Sequence, residues 1–558
     1  MRSRAVAVLL LGLLIASCQP SRPVFDTLIL NGKIVDGSGN PWFYGDVGIV
    51  GDKIVEVGKL SGREGKRVID AKGKIVCPGF IDMLGQSEMA LLVDPRGMSK
   101  ISQGITTEIT GEGESVAPLN DRTLETLRPW MEKYHKTIDW RDFEGYFRRL
   151  EQTRPALNLG SYVGAAQVRE VVVGMDDRAP TEDELDQMQD LVRTAMRQGA
   201  LGLSTALIYA PGTYAKTSEL IALAKAASTY GGIYATHIRD EGNNVVGALF
   251  EATDISREAN LPVEVWHLKV AGKQNWGRMA EVVNMIHDQR NGGIDITANI
   301  YPYPASATDL SSRIPSWVHD GGTAKLIDRL KDPATRQKVK SEILGEGPGM
   351  DNSMASTGPE GILISSVSNP ELKQYEGKRL SEIARSWNKD AVDMMIDLVI
   401  ADSARTGAVF FSMSEQDVRM AMAQPWVSFC TDAAERATDG PLFQGKPHPR
   451  AYGSFPRILG KYVRDAKLIS VEEAIRKMTS LPATRTGLTG RGLLKAGFFA
   501  DVVVYDPSTV NDKATFEDPH QYSVGIEHVF VNGLPVWEEG AFAGNYPGKV
   551  LYGPGYVR

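Results

Sequence analysis

The runs Tyr234-Ala235-Thr236-His237-Ile238-Arg239 and Val265-Trp266-His267-Leu268-Lys269 decide the fold. Each is a short apolar stretch that ends near an imidazole, and a helix-length segment separates the two. Working outward, segments of the same kind recur at Ile75–Asp82, Ile105–Thr110, Leu157–Val163, Ala200–Ala206, Gly232–Ile238, Val263–Val270, Ile294–Ile300 and Trp426–Thr431, with Ala408–Ser412 as a ninth candidate. Helical patterns fill the gaps. Thr181 and Glu184 have capping-box spacing, with Leu185, Met188, Leu191, Val192 and Met196 in helical register behind them, and Ser470 and Glu473 open another helix. Eight such alternations predict an α/β fold, a TIM-like (β/α)8 barrel of parallel strands whose site lies at the strand C-terminal ends. The stretch from Tyr301 to about Gln416 is too long for one βα connection and reads as an insertion over the barrel mouth.

The chain ends follow a different period. From Asp26 to Lys74 apolar and polar residues alternate, broken by Asn31-Gly32, Asp36-Gly37 and Gly51-Asp52, as in short antiparallel strands. Ala500–Tyr505 and His528–Gly533 mirror this pattern. The expected organisation is therefore a β-sandwich built from residues 19–77 and 489–558, around a barrel at 78–488.

Composition excludes several classes. The chain of 558 residues carries 62 Lys+Arg against 69 Asp+Glu, a balance of −7 without like-charge runs, which argues against a nucleic-acid partner. A hydrophobic fraction of 42% supports a large core. The three cysteines, Cys18, Cys77 and Cys430, make neither a disulfide framework nor a C-x-x-C zinc motif. Arg2 and Arg4 precede a 13-residue uncharged run, Ala5 to Ser17, too short to span a bilayer and suited to a secretory signal over residues 1–18. The run closes on Ile15-Ala16-Ser17-Cys18, which looks like a bacterial lipobox; Cys18 would carry the lipid. Gln19 resembles the residue found in outer-membrane lipoproteins. The expected address is the periplasmic side of the envelope, with membrane contact only through the lipid.

Four polar groups stand at predicted strand ends: Glu112, His237, His267 and Asp432. A lone His there is most often a hydrogen-bonded structural residue, but two at equivalent positions of adjacent strands favour a metal. Asp432 follows an apolar run, where an unpaired carboxylate would be costly, although a helix-capping role fits it too. Glu112, between Gly111 and Gly113, is either aimed inward or part of a solvated turn.

These segments together resemble the amidohydrolase superfamily, in its D-aminoacylase (N-acyl-D-amino-acid deacylase) branch. The resemblance covers nearly the whole chain beyond the signal. It rests on Pro78-Gly79-Phe80-Ile81-Asp82, Gly104-Ile105-Thr106-Thr107, Thr236-His237-Ile238-Arg239, His267-Leu268-Lys269-Val270-Ala271-Gly272, Tyr301-Pro302-Tyr303, His448-Pro449-Arg450 and Gly453-Ser454-Phe455-Pro456-Arg457, in that order. The resemblance implies a zinc held by His237 and His267, a proton-handling Asp432, and a substrate carboxylate held by Lys269, Arg450 and either Tyr301 or Tyr303. Two departures stand out. The family's His-x-His after Pro-Gly-Phe-Ile-Asp is replaced by Leu84 and Gln86, so one metal ion is expected rather than two. The family's Cys ligand falls on Glu112, or on Glu114 if the alignment slips. His2Glu with an open position is a known catalytic zinc set, although a carboxylate also suits other divalent ions. Cys430, two residues before Asp432, reads as a buried apolar thiol rather than a substitute ligand. The implied activity is metal-dependent hydrolysis of an amide in a small carboxylate-bearing substrate. A peptidase or cyclic-amide hydrolase on the same scaffold, and a non-catalytic ligand-binding lipoprotein, are the alternatives.

Overall fold

The computed structural model describes residues 24–345 and 353–557. Cys18 and the signal segment lie outside them. Strands β1 (Phe25–Ile34), β2 (Phe43–Val50), β3 (Lys53–Gly58), β4 (Gly65–Asp70) and β5 (Ile75–Pro78) open the chain. The barrel follows with β6 (Phe80–Asp82), β7 (Ile105–Thr110), β8 (Asn158–Ser161) running on into β9 (Val163–Gly164), β10 (Gly202–Ala206), β11 (Ile233–His237), β12 (Val263–Val265) and β13 (Ile296–Ile300). Then come β14 (Ser306–Asp309), β15 (Ile362–Ser366) and β16 (Gly407–Phe410), the last barrel strand β17 (Val427–Phe429), and finally β18 (Val502–Tyr505), β19 (Ile526–Val531), β20 (Leu534–Glu538) and β21 (Ala541–Phe542).

Counting β8 and β9 as one, the barrel has eight strands. Parallel pairing runs β17-β13-β12-β11-β10-β9 and β6-β7-β8. Tyr162 carries the chain from β8 to β9, and the ring closes where Asp432 N donates to Leu84 O at 2.8 Å and Gly85 bridges Ala433 in parallel. A buried ion cluster fastens the same seam. The Lys100 ammonium, fully buried, donates to Asp82 Oδ2 (2.9 Å), Thr431 Oγ1 (2.7 Å) and Ala433 O (2.7 Å), and lies 3.2 Å from Glu108. Strands covered on both faces have no polar edge to show, which is why they read as continuous apolar runs.

Three sequence expectations need correcting. Ile75–Asp82 is not one strand: Ile75–Pro78 belongs to the terminal sheet and Phe80–Asp82 to the barrel. Gly79 separates them, where a Cβ would stand 2.2 Å from Thr106 Oγ1. The Ala408–Ser412 candidate is β16, the middle strand of an antiparallel sheet β14-β16-β15 inside the insertion, not a barrel strand. The predicted strand to Val270 ends at Val265, because His267 turns into a left-handed backbone conformation (φ 35°). By contrast, the box at Thr181 forms in full: Thr181 N donates to Glu184 Oε2 at 2.8 Å and Glu184 N to Thr181 Oγ1 at 3.2 Å.

The insertion has its own core of residues such as Leu310, Leu326, Ile364, Met395 and Phe410, separate from that of the barrel. The two chain ends make one nine-stranded sheet, in which β5 pairs with β1 on one side and β18 on the other. The sheet curls so far that β3 at its edge meets the segment before β18: Ile54 N donates to Phe498 O (2.9 Å) and Ala500 N to Asp52 O (2.9 Å). Ile29, Val47, Ile54, Val76, Val502 and Phe530 fill its interior. The last residues then strap the barrel, with Gly548 N donating to Pro155 O, Leu551 N to Leu159 O and Gly553 N to Gly199 O at 2.8 to 2.9 Å.

Candidate metal centre

Each functional side chain leaves a barrel strand at its C-terminal end. His237 ends β11 and His267 follows β12, its backbone N–H held by Asn299 Oδ1 of β13 at 2.8 Å. Glu112 sits in the turn after β7, between Gly111 (φ 93°) and Gly113 (φ 67°). Both glycines are required: a Cβ on Gly111 would stand 2.5 Å from Tyr162 O, and one on Gly113 2.5 Å from Ala206 Cβ. Asp432 follows β17 with φ 48°. Positive φ in non-glycine residues at two such points is strain that the surrounding barrel must hold in place.

Glu112 Oε1 lies 3.0 Å from His237 Nδ1 and 3.1 Å from His267 Nε2, and the two rings cross at 84° with centroids 4.4 Å apart. Donor atoms of the three residues all fall within 4.8 Å of one another. Of the two acids in the turn, Glu112 is the one that meets both imidazoles, whereas burial, Glu170 and Asp309 push the Glu114 carboxyl up to about 7. Two imidazole nitrogens and a carboxylate oxygen meet here at a point where a proton or a metal ion can sit between them. The titration behaviour agrees. Burial and Lys269 oppose a charge on His267, yet Glu241, Asp432 and Glu112 push its pKa up to about 9. Burial would raise Glu112, but its bonds to His237 and His267 hold it well below the usual carboxylate range. His237 Nε2 is buried without a hydrogen bond, 3.5 Å from Glu241 Oε2. This donor set fits a divalent cation of the zinc type.

Around the triad stand groups of two kinds. Glu241 Oε1 accepts from Lys269 Nζ (2.6 Å) and lies 3.1 Å from His267 Nδ1, so this carboxylate, held by the lysine, orients the imidazole. Burial opposes the Glu241 anion, but His237, Lys269 and His267 hold it ionised, far below the usual range. Asp432 Oδ2 accepts from Arg450 Nη1 at 2.6 Å, and burial raises the Asp432 carboxyl against the pull of Arg450 and His267. Arg450 also donates to Ala307 O at 3.1 Å and lies over the Tyr301 ring, 4.7 Å from its centroid. Its Nε is buried with no partner among the described residues.

A cavity of about 610 Å³ opens on this group, lined by Glu112, His237, His267, Lys269, Asp432 and Gln86 and roofed by insertion residues such as Thr308 and Arg313. A smaller adjoining cavity of about 330 Å³ shares Gln86 and Asp432 and adds Arg450, Lys133 and Lys373. Neither expected tyrosine lines either cavity. Tyr301 lies beneath Arg450 with its hydroxyl on Met413 Sδ (3.5 Å); Tyr303 donates to Asp512 (3.3 Å) under the Arg457 guanidinium. Cys430 is buried, and burial raises its thiol well above the ordinary value. Glu241 was not singled out by sequence reasoning. It lies four residues past His237, in a loop with no periodic signal, and only ring closure brings it to Lys269.

Comparison with known proteins places this geometry. An amidohydrolase family model matches residues 67–317 and 436–537. A D-aminoacylase of Alcaligenes xylosoxydans xylosoxydans is 36% identical over 94% of this chain and 97% of its own length. The crystal structure of N-acyl-D-glutamate deacylase from Bordetella bronchiseptica, complexed with zinc and a phosphonate mimic of the tetrahedral intermediate, is 33% identical, with a TM-score of 0.78 over 95% of this chain and 100% of that one. A D-aminoacylase structure at 35% identity and TM-score 0.77, covering 95% of this chain and 100% of that one, is described as having a binuclear centre with one-metal activation and second-metal attenuation. By strand order, by the site its strand ends assemble and by these matches, the chain belongs to the amidohydrolase family.

Proposed function

We propose that the protein is a zinc-dependent deacylase that hydrolyses the amide bond of N-acyl-D-amino acids. The observation that carries this reading is the convergence of Glu112, His237 and His267 on one point, with Asp432 on the same cavity and Arg450 behind it. Glu112, His237 and His267 would hold zinc, which would supply Lewis acidity to an amide carbonyl and to the attacking water. Asp432 accepts a proton from the attacking water at Oδ1 and delivers it to the departing amide nitrogen. Glu241 and Lys269 fix the His267 ring, so that the site needs no reorganisation when charge develops. Arg450, on the wall of the adjoining cavity, is the cation that a substrate carboxylate would meet there. The insertion lines the outer part of the cavity with Thr308 and Arg313.

The protein works, in this reading, on the periplasmic face of the envelope, tethered through Cys18. What supports this is the basic start, the 13-residue apolar run and the Ala16-Ser17-Cys18 junction.

The test is a panel of N-acetyl-D- and N-acetyl-L-amino acids given to the zinc-loaded chain lacking residues 1–18, with the free amino acid measured by chiral chromatography. Release of D-amino acids is expected. Release of the L-enantiomers at equal rate, or of nothing from any substrate, rejects the assignment.

A further inference from the structure

Gln86 occupies a position where its relatives' motif carries a metal-binding histidine, and the structure gives its side chain a definite occupation. Gln86 Nε2 donates to Glu112 Oε2 at 3.0 Å and to Asp432 Oδ1 at 3.0 Å. Both acceptors are carboxylate oxygens, so the amide can face them only with its NH2 end, and both of its protons are used. One neutral side chain thus links the zinc ligand of the second strand to the proton-handling residue of the eighth. The groups beneath it are already engaged. Leu84 presents no donor atom. Glu108 lies so close to Gly85 that a Cβ there would stand 1.7 Å from its Oε1, and the buried Lys100 ammonium already lies against Asp82 and Glu108.

We propose that Gln86 is a positioning residue that stands in the way of a second cation: its carboxamide holds Asp432 against Glu112 and offers no ligand there, so the enzyme escapes attenuation by another ion. This rests on the deacylase reading for its kinetic part only. The two protons of Gln86 satisfy lone pairs that would otherwise repel each other or attract a metal. No charge is added beside Asp432.

The test counts ions and measures rates. The chain without residues 1–18 is equilibrated with excess zinc, desalted, and analysed for zinc per chain by mass spectrometry. The native protein should hold one ion. Gln86→Glu turns the bridge into a third carboxylate, and Leu84→His with Gln86→His supplies the missing ligands; both variants should hold two. Gln86→Ala should keep one ion and an unchanged melting temperature, while kcat falls about 10- to 100-fold and KM stays within about 2-fold. Added zinc should slow the double-His variant and not the native enzyme. Two ions on the native chain, or one ion on both Gln86→Glu and the double-His variant, overturns the proposal, as does a kcat for Gln86→Ala within about 2-fold of native. The ion count needs no turnover, so a failed substrate panel would reject the deacylase assignment and leave this inference to be decided by stoichiometry.

Discussion

Asp432 shows how much one residue can carry and how much of that was legible. A carboxylate soon after a mostly apolar strand must meet a cation or a donor, and the sequence left a catalytic and a capping role equally open for it. The same argument singled out His237 and His267. What pairing each residue makes was not legible. Asp432 meets Arg450 and Gln86, residues 18 and 346 positions away along the chain, and Glu241 meets Lys269 28 positions on, because the closed ring and not the local sequence sets those distances. The residue-scale expectation is sharp. Asp432→Ala should lower kcat by about 10³-fold or more, within the range of lost general acid–base catalysis, while the zinc content of the purified protein stays that of the native chain. Loss of the metal together with activity would make Asp432 a ligand instead.

At the scale of elements, periodicity identified the barrel strands and capping chemistry located the helix at Glu182–Arg197, since both depend on near neighbours. Boundaries set by distant contacts were misread. Gly79 divides one apolar run between two sheets because Thr106, on the adjacent strand, leaves no room for a Cβ. The strand at Gly407–Phe410 is as apolar as a barrel strand, and only its antiparallel partners reveal the insertion it serves. The helix Val471–Met478 carries a lysine that no pattern flagged. Lys477 is fully buried against the barrel, donating to Met422 O and Gln424 O, and burial lowers its pKa from 10.5 to about 7. The unfolded chain then binds the extra proton across the window from pH 7 to 10.5, so this lysine opposes folding most at the acidic end and its penalty disappears as pH rises. Native stability, measured by urea titration, should therefore gain a few kcal/mol relative to Lys477→Met between pH 7 and 10. Parallel pH profiles for the two proteins would show that Lys477 stays charged in the fold.

For the whole molecule, fold class and the shared sheet of the two ends were readable, because alternation at both termini has no other place to find partners. The strap was not: residues after Pro547 have no strand or helix period, and their order comes from the barrel beneath them. Gly548, Lys549, Leu551 and Gly553 exchange backbone hydrogen bonds with Pro155, Leu159 and Gly199, and Val550 and Leu551 are both buried. Removing residues 548–558 uncovers those groups near β8 and β10, on the approach to the strands and away from their C-terminal ends. The truncated protein should melt several degrees lower in calorimetry, at about 2–4 °C per kcal/mol lost, with one zinc still bound. Loss of zinc on truncation would show that the strap supports the site itself.

The curled sheet has a consequence for biosynthesis. Val76 of β5 waits for Val504 of β18, and Ile54 waits for Phe498. At ribosomal speeds of about 5–20 residues per second, that wait lasts roughly 20 to 90 s. Throughout it the nascent chain carries its N-terminal strands with two open hydrogen-bonding edges, at β5 and at β3, of the kind on which neighbouring chains aggregate. A premature stop codon anywhere before β18 therefore leaves both edges open for good.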